Sequence, residues 1–204
     1  MNLEDLAPFV LEMAPSCPEP TMVHHLRQSA IKFCERTLAW QQDLTAIVSV
    51  AGDDSYPMVF PAGASLVKLM AFTVDGAEAF VVTPEKGRRL AVNQSGRDAA
   101  WTDDRVNVRI NPVPSQDGLS YVLKAALKPT QAATTIADSL GEHYAVELAA
   151  GALGTLLDLE TMPWANPRMA SAKRTFFEDR VGVISSQVSK GFSRGARQVR
   201  GFFY

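Results

Sequence analysis

The 204-residue chain is 47% hydrophobic and 21% charged with a net charge of −2, the composition of an ordinary globular protein. Its longest apolar run, residues 146–159, is interrupted by Glu147 and Asp158 and is too short for a membrane span, so we expect no transmembrane helix. Acidic residues stand near the N-terminus where a secretory signal carries Lys or Arg, and we therefore expect synthesis in a cytoplasm.

Charge is unevenly distributed along the chain. From Arg168 onward there are eight basic and two acidic residues, whereas residues 1–167 hold 12 basic and 20 acidic ones. The C-terminal part is thus electrostatically distinct from the rest. Cys17 and Cys34 are too few for a disulfide framework, and Cys34 lies on an apolar helical stripe that predicts a buried free thiol.

Two helices are predicted at the N-terminus. Asn2, with Asp5 three residues later, predicts the start of a short helix that ends before Pro15. Thr21 is a suitable N-cap for a second helix that continues to about Trp40. Its apolar residues recur at helical spacing, and these are Val23, Leu26, Ala30, Phe33, Cys34 and Leu38.

The middle of the chain has the pattern of β structure. Alternating and β-branched runs predict strands at residues 45–50, 66–74, 80–83, 106–110 and 119–127. The Pro- and Gly-containing segment 111–118 predicts a hairpin loop between the last two strands. Residues 42–129 are therefore predicted to form a small antiparallel region.

Helical spacing returns between Ile136 and Leu156, in a segment rich in Ala and Gly. Such small residues allow another helix to approach closely, either within the subunit or in a neighbouring one. Asn166 and Pro167 predict the start of a last amphipathic helix that continues to about Lys190. Its apolar positions are Met169, Phe176, Phe177, Val181 and Ile184.

These elements predict an α+β fold. Residues 1–41 and 130–190 would form an α-helical bundle, with residues 42–129 inserted as the small antiparallel β region. Residues 191–204 would form an extended C-terminal arm, about 45 to 50 Å long when fully stretched.

The predicted arm is basic and ends in aromatic residues. The residues that mark it as a binding segment are Arg194, Arg197, Arg200, Phe202, Phe203 and Tyr204. Arginine and aromatic side chains dominate interface hot spots, and they also bind single-stranded nucleic acid. The apolar Phe-Phe-Tyr ending favours a protein groove over DNA, and a merely solubilising tail is disfavoured by the interleaved Arg and Gly.

The sequence offers little catalytic chemistry, and we predict that the protein is not an enzyme. His24, His25 and His143 stand in no known nucleophile or metalloprotease motif. The acid pairs at 53–54 and 103–104 are typical of solvated turns, so no metal site is predicted. Glycines occur in no strand-to-helix phosphate loop, and no cofactor is expected.

An ordered set of segments extends over nearly the whole chain. It consists of residues 6–20, 31–37 with Trp40, 108–114, 123–129, 149–157 and 163–167. In this order they resemble the head-to-tail adaptor (connector, or head completion) proteins of tailed bacteriophages. The resemblance is carried by the order of the segments and not by any one of them, and residues 53–102 match the family pattern less clearly.

The resemblance implies a structural protein of the virion neck that is assembled in the host cytoplasm. It implies a homo-oligomeric ring, commonly of twelve copies, between the portal protein and a tail tube or nozzle protein. Packaged DNA would pass through the lumen without sequence-specific binding, and no membrane would be involved. The C-terminal arm would contact the portal.

Two other hypotheses remain open. The second is a DNA-binding module that uses the basic arm, which predicts affinity falling steeply with salt. The third is a tail-associated hydrolase within the β region, whose obvious candidates are the three histidines.

Overall fold

A computed structural model of the chain describes residues 1–92 and 98–191. Its helices are a 3-10 turn at Leu3–Leu6, α1 (Ala7–Leu11), α2 (Glu19–Thr37), α3 (Pro84–Val92), α4 (Asp138–Leu156) and α5 (Pro167–Lys190). Its strands are β1 (Gln41–Asp43), β2 (Ile47–Val48), β3 (Ser55–Pro57), β4 (Ala64–Val74), β5 (Ala77–Val81), β6 (Ala99–Trp101), β7 (Asn107–Asn111) and β8 (Ser120–Pro129).

The helix ends follow local capping chemistry. The backbone N–H of Asn2 donates to the Asp5 carboxylate at 2.8 Å, completing the predicted capping pair. Asn166 accepts a hydrogen bond from the Met169 backbone N–H, so α5 begins where the sequence predicts. Helix α2 ends at Thr37, because the next residue, Leu38, has a φ of 55° in the left-handed region.

The strands form one mixed sheet that curls into a half-barrel. Its order is β1-β8-β4-β5-β6-β7-β3, and β2 also pairs with β8. The β5 and β6 strands are parallel, because α3 carries the chain across between them. The predicted hairpin of the last two strands is wrong, since β8 pairs with β4 and β1 whereas β7 pairs with β6 and β3.

Helix α3 and strand β6 lie in the part of the chain where the sequence predicts neither. They pack together through Gly87, where an added Cβ would stand 2.3 Å from the indole of Trp101. Only glycine leaves room for α3 at this distance from β6. Trp101 is 2% exposed, and Gly87 is the residue that α3 buries against it.

One hydrophobic core joins the helices to the sheet. Leu3, Leu26 and Leu153 from the helices belong to the same cluster as Phe72 and Leu123 from the sheet. The predicted fold class, a helical bundle with a small antiparallel insertion, is therefore wrong. The described residues are 43% helical and 24% strand, and the sheet is a full layer of the fold.

Within the described ranges, no helix combines the length and apolar character needed to cross a bilayer.

Candidate assembly surface

The predicted portal-binding residues lie outside the described residues. These are Arg194, Arg197, Arg200, Phe202, Phe203 and Tyr204. The structure does describe the helix that precedes them, since α5 ends at Lys190 and Gly191 follows with a φ of 72°. The last described residues before the predicted arm are thus those of α5 and Gly191, and the role of the arm stays a prediction.

Helix α5 is held against the small-residue face of α4. A Cβ at Gly151 would lie 2.8 Å from the Phe177 ring and 2.2 Å from the Ser29 hydroxyl oxygen. A Cβ at Gly154 would meet the backbone of Arg174 at 3.2 Å. The small residues therefore serve packing within the subunit, which the sequence alone left undecided.

Ion pairs fix α5 in this position. Arg180 donates two hydrogen bonds, of 2.9 and 2.8 Å, to one carboxylate oxygen of buried Glu147 on α4. Glu178 receives Arg36 and Lys32 of α2, and these two cations lower the pKa of its carboxyl. Two neighbouring helices thus hold α5 by polar as well as apolar contacts.

The outer face of α5 carries an apolar stripe. Met169, Phe176 and Val183 are spaced seven residues apart and are 39, 41 and 46% exposed, respectively. Seven residues are nearly two helical turns, so the three side chains follow one another along the same side. In the described part of the chain, the basic residues Arg168, Lys173 and Lys190 on α5 form no ion pair.

This stripe differs from the predicted one. The sequence pattern placed Met169 and Phe176 on the core face together with Phe177, Val181 and Ile184. The structure buries only the last three, at 1 to 2% exposure. The interval of seven groups Met169, Phe176 and Val183 on one side of α5, but it does not indicate whether that side is the buried one.

A second exposed surface lies at the N-terminus. Phe9 on α1 is 43% exposed, and Asp5 in the preceding 3-10 turn and Glu12 at the end of α1 are exposed close to it in sequence. Leu11 and Glu4 are exposed as well. Nothing in the sequence pattern indicates this surface, because a single exposed aromatic in a short helix has no periodicity.

The three histidines do not form a catalytic group. His25 and His24 are neighbours on α2, whereas His143 contacts Tyr144 on α4. His25 Nδ1 lies 2.8 Å from the Thr155 hydroxyl oxygen on α4, and that hydroxyl also lies 2.9 Å from the Ala152 carbonyl oxygen. The described residues therefore do not bring His24 or His25 together with His143.

The acid pairs are engaged by neighbouring donors. Arg88 donates to Asp103 at 2.7 Å, and the backbone N–H of Ser55 donates to Asp53 at 3.1 Å. Arg109 lies 3.4 Å from Asp54. Across residues 1–92 and 98–191, no three His, Cys, Asp or Glu side chains converge in a way that could hold a metal ion.

Asp104 is the acid with the most strongly altered pKa in its loop. The N–H groups of Asn107 and Val106 donate to its carboxylate and lower its pKa from 3.8 to about 2. Because the folded pKa is depressed, its stabilising effect is present above about pH 4 and is lost as the pH falls toward 2.

We expect an NMR titration of the Asp104 carboxyl to give a midpoint near 2, with the amide signals of Val106 and Asn107 shifting together. In Asp104→Asn these amides should no longer respond in that range. A midpoint at the ordinary value of 3.8 would show that the loop hydrogen bonds do not form in solution.

A recess of about 460 Å³ lies beside Trp101. Leu66 and Val81 contribute apolar walls, and Lys68 and Arg105 also line it. The indole N–H of Trp101 has no hydrogen-bond partner among the described residues. Thr83, Thr102 and Asp103 also line the recess, and the Thr102 hydroxyl donates to the Asp104 carboxylate at 3.4 Å.

No protein-family model matches this sequence, and no curated protein is significantly similar to it.

Proposed function

We propose that the chain is a structural head-to-tail adaptor of a tailed phage. Copies would form a ring between the portal and the tail tube or nozzle, with the packaged DNA passing through the lumen. The observation that carries the proposal is that α5, fixed by Gly151, Gly154 and the Glu147–Arg180 pair, leads directly into the basic, aromatic segment 191–204.

Rigid attachment matters for a connector. Because α5 is held by both α4 and α2, the root of the arm has a defined position on the subunit. A portal ring would offer repeated docking sites with matching symmetry. Once one arm is bound, the others act at high effective concentration, so individually weak contacts become a strong attachment.

The continuous core suits the same role. The helices that hold α5 share one core with the sheet, so force applied at one layer would be transmitted to the other through packed side chains. The sheet would then face neighbouring subunits or the tail. The ordered motifs that resemble head-to-tail adaptors support the same proposal.

Removal of residues 191–204 tests the proposal. We expect the truncated protein to keep its thermal unfolding midpoint, because the core residues all precede the cut. It should no longer co-sediment with purified portal rings. Attachment to the portal at the level of the full chain would contradict the role of the arm.

Two matched variants divide the arm by chemistry. One replaces Arg194, Arg197 and Arg200 with Ala, and the other replaces Phe202, Phe203 and Tyr204 with Ala. Loss of portal binding in the aromatic variant would indicate a protein groove. The alternative function is a DNA-binding module, and the excess of basic residues after Arg168 favours it. It predicts that the full chain binds DNA with an affinity that falls steeply with salt, and that only the arginine variant loses this affinity.

A further inference from the structure

We propose that the ring is built by a head-to-tail junction in which the α5 stripe of one copy packs on the N-terminal surface of the next. The α5 stripe consists of Met169, Phe176 and Val183 with its basic flanks. The N-terminal surface consists of Phe9 and Leu11 with Glu4, Asp5 and Glu12. This inference depends on the proposed ring and specifies which faces form it.

Both surfaces expose apolar side chains in the free subunit. Phe9 on the short helix α1 and Phe176 on the long helix α5 are each more than 40% exposed. Exposed aromatics flanked by charges are typical of interface centres with polar rims. Each surface therefore has an apolar anchor that a partner can cover.

The charges around these anchors are complementary. Three basic residues, Arg168, Lys173 and Lys190, and one acid, Asp179, border the α5 stripe, which gives this border a net charge of +2, whereas Asp5 and Glu12 border Phe9. Within the described residues, none of these six forms an ion pair. Pairing two α5 stripes, or two N-terminal surfaces, would bring like charges together, so the favourable contact joins unlike surfaces.

Helix α4 packs against the helices that carry the two surfaces. Its Glu147, Gly151 and Gly154 face α5, and it also packs against α1. At one end the two surfaces approach each other, because Met13, next to Glu12, lines the same recess as Met169. Both surfaces are thus carried by helices that pack on α4.

A contact between two different surfaces repeats from copy to copy. Each bound subunit leaves one α5 stripe and one N-terminal surface free at the two ends of the chain of copies. Such contacts generate closed rings or helical filaments, in contrast to two-fold dimers. The portal ring then supplies the symmetry that selects closure.

Two variants test the junction. The α5 variant carries Phe176→Gln and Val183→Gln, and the N-terminal variant carries Phe9→Gln and Glu12→Gln. Each loses an apolar anchor and gains no charge, so the two altered surfaces cannot attract each other electrostatically when the variants are mixed. We expect each variant to remain folded by circular dichroism and to associate more than about tenfold more weakly than the wild type in sedimentation. Val59→Gln, at an exposed valine of the sheet region, is the matched control and should still form rings.

Mixing the two variants gives the decisive result. The α5 variant keeps an intact N-terminal surface, and the N-terminal variant keeps an intact α5 stripe. One good junction can therefore form, while the other would join two surfaces that have both lost their aromatic anchor. We expect a one-to-one heterodimer that does not grow further.

The outcomes separate the junction from the ring itself. If the wild type forms rings and either variant also forms rings, the proposed junction is wrong. The junction is also wrong if both variants fold but form no heterodimer when they are mixed. Either result would leave the adaptor role intact. Wild-type protein that stays monomeric with and without portal rings would overturn both.

Discussion

Replacing Gly151 with leucine is expected to lower the free energy of unfolding by about 3 to 5 kcal/mol. A Cβ at this position already stands 2.8 Å from the Phe177 ring, and the remaining leucine atoms would have to displace α5 from α4. Overpacking of this kind costs about 1 to 3 kcal/mol. The Ser29 hydroxyl, 2.2 Å from the same Cβ, would also move.

Moving the Ser29 hydroxyl would lower the free energy of unfolding further. The Ser29 hydroxyl donates to the Leu148 carbonyl at 2.7 Å in a buried site, and breaking this hydrogen bond adds about 1 to 3 kcal/mol. The measurement is urea unfolding followed by far-UV circular dichroism. Portal binding should fall as well, because the position of the arm depends on the packing of α5.

Gly182 provides the matched control on α5. It is exposed, and an added Cβ would meet nothing within 4 Å. Leucine is a better helix former than glycine by somewhat less than 1 kcal/mol, so Gly182→Leu should be neutral or slightly stabilising. Equal stability of the two leucine variants would show that α4 and α5 do not pack closely at Gly151.

The parts of the fold that the sequence predicted well are those with local causes. Asn166 and Pro167 define the start of α5, because a cap and an N1 proline act within one helical turn. The small residues of α4 predicted close helix packing for the same reason. Which helix they would meet was not predictable, since that depends on contacts between distant segments.

Strand pairing was the main failure. The predicted β7–β8 hairpin has a turn-like connection, but β8 pairs instead with β4, which lies about 55 residues earlier in the chain. Two bulges in β4 also place Leu66, Leu69 and Phe72 inward at intervals of three, which weakens the period of two. Helix α3 begins at Pro84 and contains Gly87, two residue types that are typical of turns and loops in a sequence pattern.

The candidate assembly surface also has a part that the sequence predicted and a part that it did not. The basic and aromatic arm was visible because its composition is unusual, and it remains a prediction because it lies outside the described residues. The α5 stripe was assigned to the core, because Phe176 and Phe177 are adjacent and a helical pattern alone does not decide which of them is buried. Only the packing of Phe177 against Gly151 decides it.

Replacing Phe33 with alanine is expected to destabilise the folded subunit by about 3 to 5 kcal/mol. Phe33 is fully buried on α2, where its ring lies 5.0 Å from that of Tyr144 on α4 and 6.4 Å from that of Phe177 on α5. It therefore fills the space where three helices meet. Thermal and urea unfolding should report the loss directly.

Phe176→Ala separates stability from assembly. The Phe176 side chain is 41% exposed, so its truncation should change the free energy of unfolding by less than about 1 kcal/mol. Ring formation should nevertheless weaken, whereas in Phe33→Ala any loss of assembly should track the fraction of unfolded protein. If Phe176→Ala instead destabilised the monomer as much as Phe33→Ala, Phe176 would belong to the core, and the outer face of α5 would not be available to a second copy.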